Sequence, residues 1–217
     1  TTTPWTLYSN LALAVKNNAD YSIVKHNEEE FILADALVGK HFKDVKVIEK
    51  IKGKNLIGME YVPLFDNFKN VKPAFKIIGG DFVSLEEGTG IVHIAPAFGE
   101  DDYQVCKSHN IAFVQPVTTN GKFTNEVSEF EGRFVKSCDA EIIELLDAKN
   151  LLFKSEKVSH SYPFCWRCGT PLLYYAMKSW FIAVTKVKNE LIKNNEKINW
   201  YPDNIKHGRF GDWLENV

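Results

Sequence analysis

The sequence predicts a β-rich α+β fold, a β-barrel core with peripheral helices, formed by one domain over residues 1–217. Three observations predict it. Short apolar or alternating runs recur along the chain, turn residues separate them, and only three stretches carry helical spacing. Residues 21–26 (YSIVKH) and 31–34 (FILA) read as strands joined across Asn27-Glu28-Glu29. Residues 45–51 alternate and run into a Lys52-Gly53-Lys54-Asn55 turn. Residues 75–78 and 90–95 are two more strand candidates, and 114–118, Asn120-Gly121 and Phe123 read as a second hairpin. Helical spacing covers residues 100–108, 139–149 and 187–195. In the second of these, Ile142, Ile143, Leu145 and Leu146 form one stripe and Asp139 stands as N-cap.

Composition narrows the function. A 45% apolar, 25% charged chain is that of a folded protein. No apolar run is long enough to span a bilayer, so no membrane partner is expected. A net charge of −2 argues against binding nucleic acid by phosphate neutralisation over a broad surface, so any RNA contact is local. Lys186, Lys188, Lys193 and Lys197 offer a basic edge, interrupted by Glu190 and Glu196; a solvated helix face reads equally well. Cys106, Cys138, Cys165 and Cys168 are too few and too uneven for a secreted disulfide framework, and the first ten residues lack a signal-peptide pattern. A reducing, cytoplasmic setting is expected.

The most informative stretch is GTGIVHIAPAFGEDDY, residues 88–103. It places a strand, a small-residue loop and an acidic helix start in succession, a common frame for a polar pocket. Each part has a plainer reading. Acids in a first helical turn oppose the helix dipole, His93 suits a core histidine, and Gly88-Thr89-Gly90 suits an ordinary turn. Neither phosphate-loop pattern is present. The opening TTTPWTL reads as a threonine-rich strand ended by Pro4, or as a set of hydroxyls able to donate and accept. Cys165-Trp166-Arg167-Cys168 is a lone C-x-x-C, half of a zinc site.

TTTPWTL, GTGIVHIAPAFGEDDY, HSYPFCWRCGTPL and WYPDNIKHGRFGDWLEN, in that order, resemble the inserted editing domain (connective polypeptide 1) of isoleucyl-tRNA synthetases. The resemblance covers essentially the whole chain. It implies that both ends are cut from a longer chain, that residues from about 155 return toward the synthetic core, and that this piece does not activate an amino acid. It implies hydrolysis of valine mischarged onto tRNA(Ile), or of valyl-adenylate, with isoleucine excluded by size. The need for such a site follows from the ~1–3 kcal/mol that one methylene is worth, a limit for which these synthetases are themselves the standard example.

The resemblance also assigns residues. Asp102 matches the acid that anchors the substrate ammonium, with Asp101 left to the surface. His93 matches the histidine beside the aminoacyl side chain, a size gate and not a general base. Thr1, Thr2 and Thr3 match the segment bordering the ester and the terminal nucleotide, with Thr2 and Thr3 grouped with Asp102 as catalytic. Asn10 and Gly90 are expected on the substrate, and Trp5 in packing. Tyr8 stands where many relatives carry proline, so the turn into Asn10 is expected to differ. In some relatives the C-x-x-C pairs with an upstream knuckle around zinc; here no metal and no cofactor are expected. The implied partners are the tRNA(Ile) 3′ acceptor end, bound weakly and salt-sensitively, and the remainder of the synthetase chain. A non-catalytic module that holds the acceptor end is the alternative.

Overall fold

The continuous apolar run after Asn10, with its two alanines, becomes the centre of the first sheet. A strand covered on both faces needs no polar alternation, and Ala12, Ala14 and Val15 are fully buried. The computed structural model describes residues 1–157 and 161–216 and divides the chain into two compact units, Thr1–Ala176 and Met177–Val217. The boundary between the units thus lies at 176/177, inside the stretch from about 155 onward that was expected to return toward the synthetic core. Residues 158–160, including His160 of the HSYPFC stretch, lie outside the described residues.

In the first unit a tight helical turn, Pro4–Ser9, leads into β1 (Ala12–Val15). There follow β2 (Asp20–His26), β3 (Glu29–Ala34), the single-turn α1 (Val38–His41), β4 (Lys46–Lys52), β5 (Lys76–Gly79), β6 (Ile91–Ile94), α2 (Glu100–Ser108) and α3 (Asp139–Ala148). The strands make two three-stranded sheets. One has the order β5-β1-β6, with β1 parallel to β5 and antiparallel to β6; the other has the order β3-β2-β4. Among the described residues these strands do not close into a barrel. They are four to seven residues long, and the later hairpin contributes isolated bridges, Val117↔Phe123 and Lys122↔Phe134, and no strand. The fold is α+β with two open sheets.

Local chemistry explains most elements. Asn27 and Glu28 take φ of 47° and 66°, the left-handed pair that a two-residue hairpin turn requires. The turn sets His26 opposite Glu29. Strand β4 pairs with β2 through a register shift at Ile23/Val24, and its alternating residues are nearly all exposed at the sheet edge. In α3 the predicted stripe faces inward, with Ile142 and Leu146 buried. Asp139 is not its N-cap, however; Cys138 holds that position. The Asp139 carboxylate instead accepts the backbone N–H of Trp5 at 2.9 Å. That N–H belongs to the first turn after Pro4, where no intrahelical acceptor exists.

Three apolar clusters support the unit. Trp5, Tyr8, Phe65, Phe98, Phe123, Phe130 and Ile142 belong to one. Tyr21, Val24, Leu33 and Leu56 belong to the second, while Ala12, Ala14, Ile78, Ile94 and Cys106 belong to the third. Tyr8 lies nearly parallel on Phe65 with ring centroids 4.0 Å apart.

The second unit is helical: α4 (Val184–Asn195), α5 (Asn204–His207) and α6 (Arg209–Glu215). Helix α4 starts three residues before the predicted 187, and the two short helices carry no predicted counterpart. Buried Asn195 joins them, donating to the Lys206 carbonyl at 2.9 Å and accepting the Trp200 indole N–H at 2.8 Å. The lysine edge is thinned by internal bonds. Lys188 donates to the Glu215 carbonyl at 2.7 Å and Lys197 to the Asn194 side chain at 3.4 Å.

Candidate active site

His93 sits on β6 directly opposite Leu13 of β1, so its neighbours are the residues entering β1. The side chain of Asn10, one of the few buried polar groups, donates through Nδ2 to His93 Nδ1 at 2.8 Å and to the Ala12 carbonyl at 3.0 Å. On the other side of the ring, Thr6 Oγ1 lies 3.0 Å from His93 Nε2 and donates to the Thr3 carbonyl at 2.7 Å. The turn Pro4–Ser9 brings both partners to the ring, because Thr6 N–H also bonds the Thr3 carbonyl at 3.0 Å and so closes the turn.

The bonding pattern sets the protonation state. Asn10 can only donate at Nδ2, so His93 Nδ1 is a bare acceptor and the proton of the neutral ring is on Nε2. An imidazolium would set two donors against each other at Nδ1. Burial accordingly pushes the His93 pKa down to about 3. Both ring nitrogens are thus occupied by protein groups.

An unfolded histidine takes a proton near pH 6.5, whereas folded His93 does so only near 3. Its contribution is complete above 6.5 and is lost as pH falls toward 3. Between pH 6.5 and 4.5 we expect a loss of about 2 kcal/mol that His93→Gln does not show. Asp102, whose pKa is raised, takes up a proton earlier in the folded state and opposes part of this loss. Urea midpoints of both proteins at the two pH values check it; parallel shifts would count against the neutral histidine.

Asp102 is in the first turn of α2, close in sequence to the end of β6. Its Oδ2 accepts the Ala95 N–H at 2.8 Å, closing the loop Pro96-Ala97-Phe98-Gly99. Burial raises its pKa, the Ala95 N–H lowers it, and nearby Asp101 raises it further. Gly99 makes this placement possible, since a Cβ there would lie 2.9 Å from Asp102 Cγ. Asp101 is exposed.

Thr1 and Thr2 are exposed and Thr3 is partly so. Thr3 joins the His93 group through its carbonyl, and Thr2 Oγ1 lies 3.5 Å from Thr3 Oγ1. Trp5 is buried against the edge of Phe98, as expected of a packing residue. Gly90 is placed elsewhere, at the opposite end of β6 and about 10 Å along the strand from His93. Its carbonyl accepts the Tyr21 hydroxyl at 2.6 Å, its φ is +74°, and an added Cβ would lie 2.4 Å from Ala34 Cβ. Close approach to Ala34 at the end of β3 therefore requires a glycine here.

Sequence reasoning passed over two members of the group. Thr6 lies inside the threonine motif, and its place three residues after Thr3 was the available signal. Tyr61 donates its hydroxyl to Asn10 Oδ1 at 2.5 Å from 51 residues away, and no spacing rule reaches that far. At the C-x-x-C, Cys165 N–H bonds the Thr170 carbonyl and Gly169 N–H bonds the Cys165 carbonyl, forming a knuckle. Among the described residues no three His, Cys, Asp or Glu side chains are grouped so as to hold a metal ion, whereas a closed zinc site takes four ligands. No helix among the described residues is long and apolar enough to cross a membrane.

The family described as tRNA synthetases class I (I, L, M and V) matches residues 5–217. An isoleucine–tRNA ligase of Clostridium tetani (strain Massachusetts / E88) is 50% identical over 218 residues, covering 100% of this chain and 21% of that protein. An isoleucine–tRNA ligase of Clostridium acetobutylicum is 50% identical over 217 residues, with the same coverage. The chain thus spans about a fifth of the length of the curated relatives it matches. The crystal structure of the P. falciparum cytosolic leucyl-tRNA synthetase editing domain superposes with a TM-score of 0.54 at 15% identity, covering 70% of this chain and 75% of that one. The chain belongs to the class I tRNA synthetases, with isoleucine–tRNA ligases as its sequence relatives and a synthetase editing domain as its structural likeness.

Proposed function

We propose that this chain is the proofreading part of an isoleucyl-tRNA synthetase and hydrolyses valine esterified to the 3′ end of tRNA(Ile). The observation that carries this reading is that a His93 hydrogen-bonded on both ring nitrogens and a partly buried Asp102 carboxylate that accepts the Ala95 N–H are both held at the same end of β6. The substrate has a free ammonium, an ester and a small apolar side chain. Asp102 holds the ammonium through a charge-assisted hydrogen bond. His93, bonded on both nitrogens, is a rigid wall that the extra methylene of isoleucine meets. Rigid overlap rejects a larger group more strongly than a missing contact rejects a smaller one. Thr1, Thr2, Thr3 and Asn10 border the ester, and Thr2 and Thr3 orient the attacking water and the developing oxyanion. The partners are the acceptor end of tRNA(Ile) and the remainder of the synthetase chain, in the cytoplasm.

The deciding experiment is deacylation of valyl-tRNA(Ile) and isoleucyl-tRNA(Ile) by this chain at low salt. Release of valine with isoleucine retained is the expected result. Binding of the acceptor end without release of either amino acid, in this chain and in the full-length enzyme, would replace hydrolysis by a holding role.

A further inference from the structure

Tyr61 lies outside every motif discussed above, on the segment that leads toward β5. Its backbone N–H bonds the Phe75 carbonyl at 3.0 Å, and its ring meets Phe75 edge-on at 5.9 Å, so the side chain is fixed in direction. The hydroxyl points to Asn10 Oδ1 at 2.5 Å. Asn10 is oriented independently, because Nδ2 must face the Ala12 carbonyl. The donors then run one way: Tyr61 O–H to Asn10 Oδ1, Asn10 N–H to His93 Nδ1, His93 Nε2–H to Thr6 Oγ1, and Thr6 O–H to the Thr3 carbonyl. Every hydroxyl and amide hydrogen between Tyr61 and the threonine motif has one acceptor.

The geometry points to Tyr61 as a positioning residue that, through Asn10, holds His93 as the Nε2–H tautomer and keeps its ring fixed beside the threonine motif. The inference deepens the proofreading reading and rests on it for substrate discrimination; the tautomer rests on the hydrogen bonds alone. Without the Tyr61 hydroxyl, Asn10 Oδ1 loses its donor, and the Ala12 carbonyl alone is left to hold the amide against rotation. His93 Nδ1 then loses a fixed partner, and the ring samples both tautomers and more than one tilt. A wall that tilts excludes isoleucine less well.

The test is Tyr61→Phe in the whole chain, which removes one oxygen and keeps the ring on Phe75. Long-range 1H–15N spectra of the histidine rings distinguish a bare from a protonated ring nitrogen. The unsubstituted chain is expected to show His93 with Nδ1 bare and Nε2 protonated, and Tyr61→Phe to shift both signals toward a tautomer mixture. Asn10→Asp, which cannot donate to Nδ1, is expected to invert the tautomer and serves if Tyr61→Phe fails to fold. In deacylation assays Tyr61→Phe is expected to lower the valine-over-isoleucine preference about tenfold, the effect of one ordinary hydrogen bond. A protonated Nδ1 in the unsubstituted chain, or an unmoved His93 spectrum in Tyr61→Phe, overturns the positioning role. A shifted spectrum with unchanged preference leaves Tyr61 as a positioning residue and removes His93 from substrate selection. Absence of hydrolysis in every form bears on the proofreading reading and leaves the spectra to decide the tautomer.

Discussion

Asp102→Asn is expected to reduce kcat/KM for valyl-tRNA(Ile) hydrolysis by about a hundredfold or more. Removing one member of a buried, hydrogen-bonded charge pair costs about 2–5 kcal/mol, and each 1.4 kcal/mol is about tenfold. The asparagine carbonyl can still accept the Ala95 N–H that Asp102 Oδ2 accepts at 2.8 Å, so the loop into α2 keeps its closure and only the charge is lost. Asparagine therefore separates the chemistry from the fold more cleanly than alanine. The pH profile provides a second reading. Burial raises the Asp102 pKa, so activity of the unsubstituted chain falls on the acid side as the carboxylate takes its proton. The asparagine variant is expected to lack that limb. Full activity in Asp102→Asn would remove the ammonium anchor from this residue.

Tyr8→Ala is expected to lower the unfolding free energy by about 4 kcal/mol, within the range for deleting a buried aromatic side chain. Tyr8 is buried, lies on Phe65 and meets the edges of Phe123 and Phe130 with centroids 5.7 and 6.0 Å away. Alanine leaves a cavity that these rings cannot collapse into without breaking their own contacts. Against a typical total of about 5–15 kcal/mol, this is a large share. Urea unfolding at pH 7 measures it, and a change below about 1 kcal/mol would mean that the aromatic cluster re-forms without Tyr8. Tyr8 shares a turn with Thr6, so the same variant is expected to loosen the hydroxyl that meets His93 Nε2.

Strands and helices were legible where side-chain periodicity met a turn signal. The β2–β3 hairpin, β5, β6 and α2 fall where alternation, glycine or an acidic helix start announces them. Strand β1 was not named, because burial on both faces removes the alternation that marks a strand. The closed barrel was inferred from the number and spacing of strands. Closure depends on register and tilt between strands distant in sequence, which local pattern does not carry. Asp139 was read as a cap because acids at helix starts usually are caps; the unpaired Trp5 N–H, 134 residues away, took its carboxylate instead.

By itself the sequence determined the family of this protein and the candidate residues His93, Asp102, Asn10 and Thr1–Thr3, since these lie in short motifs whose order survives in a linear reading. Tertiary structure alone decided that Gly90 packs on Ala34, that the chain divides at 176/177, and that Tyr61 and Thr6 complete the histidine's hydrogen bonds. The physical reason is one of range. Periodicity and motif spacing report on neighbours within a turn or a strand, whereas the protonation state of His93 depends on hydrogen-bond partners that the tertiary fold gathers from residues 6, 10 and 61.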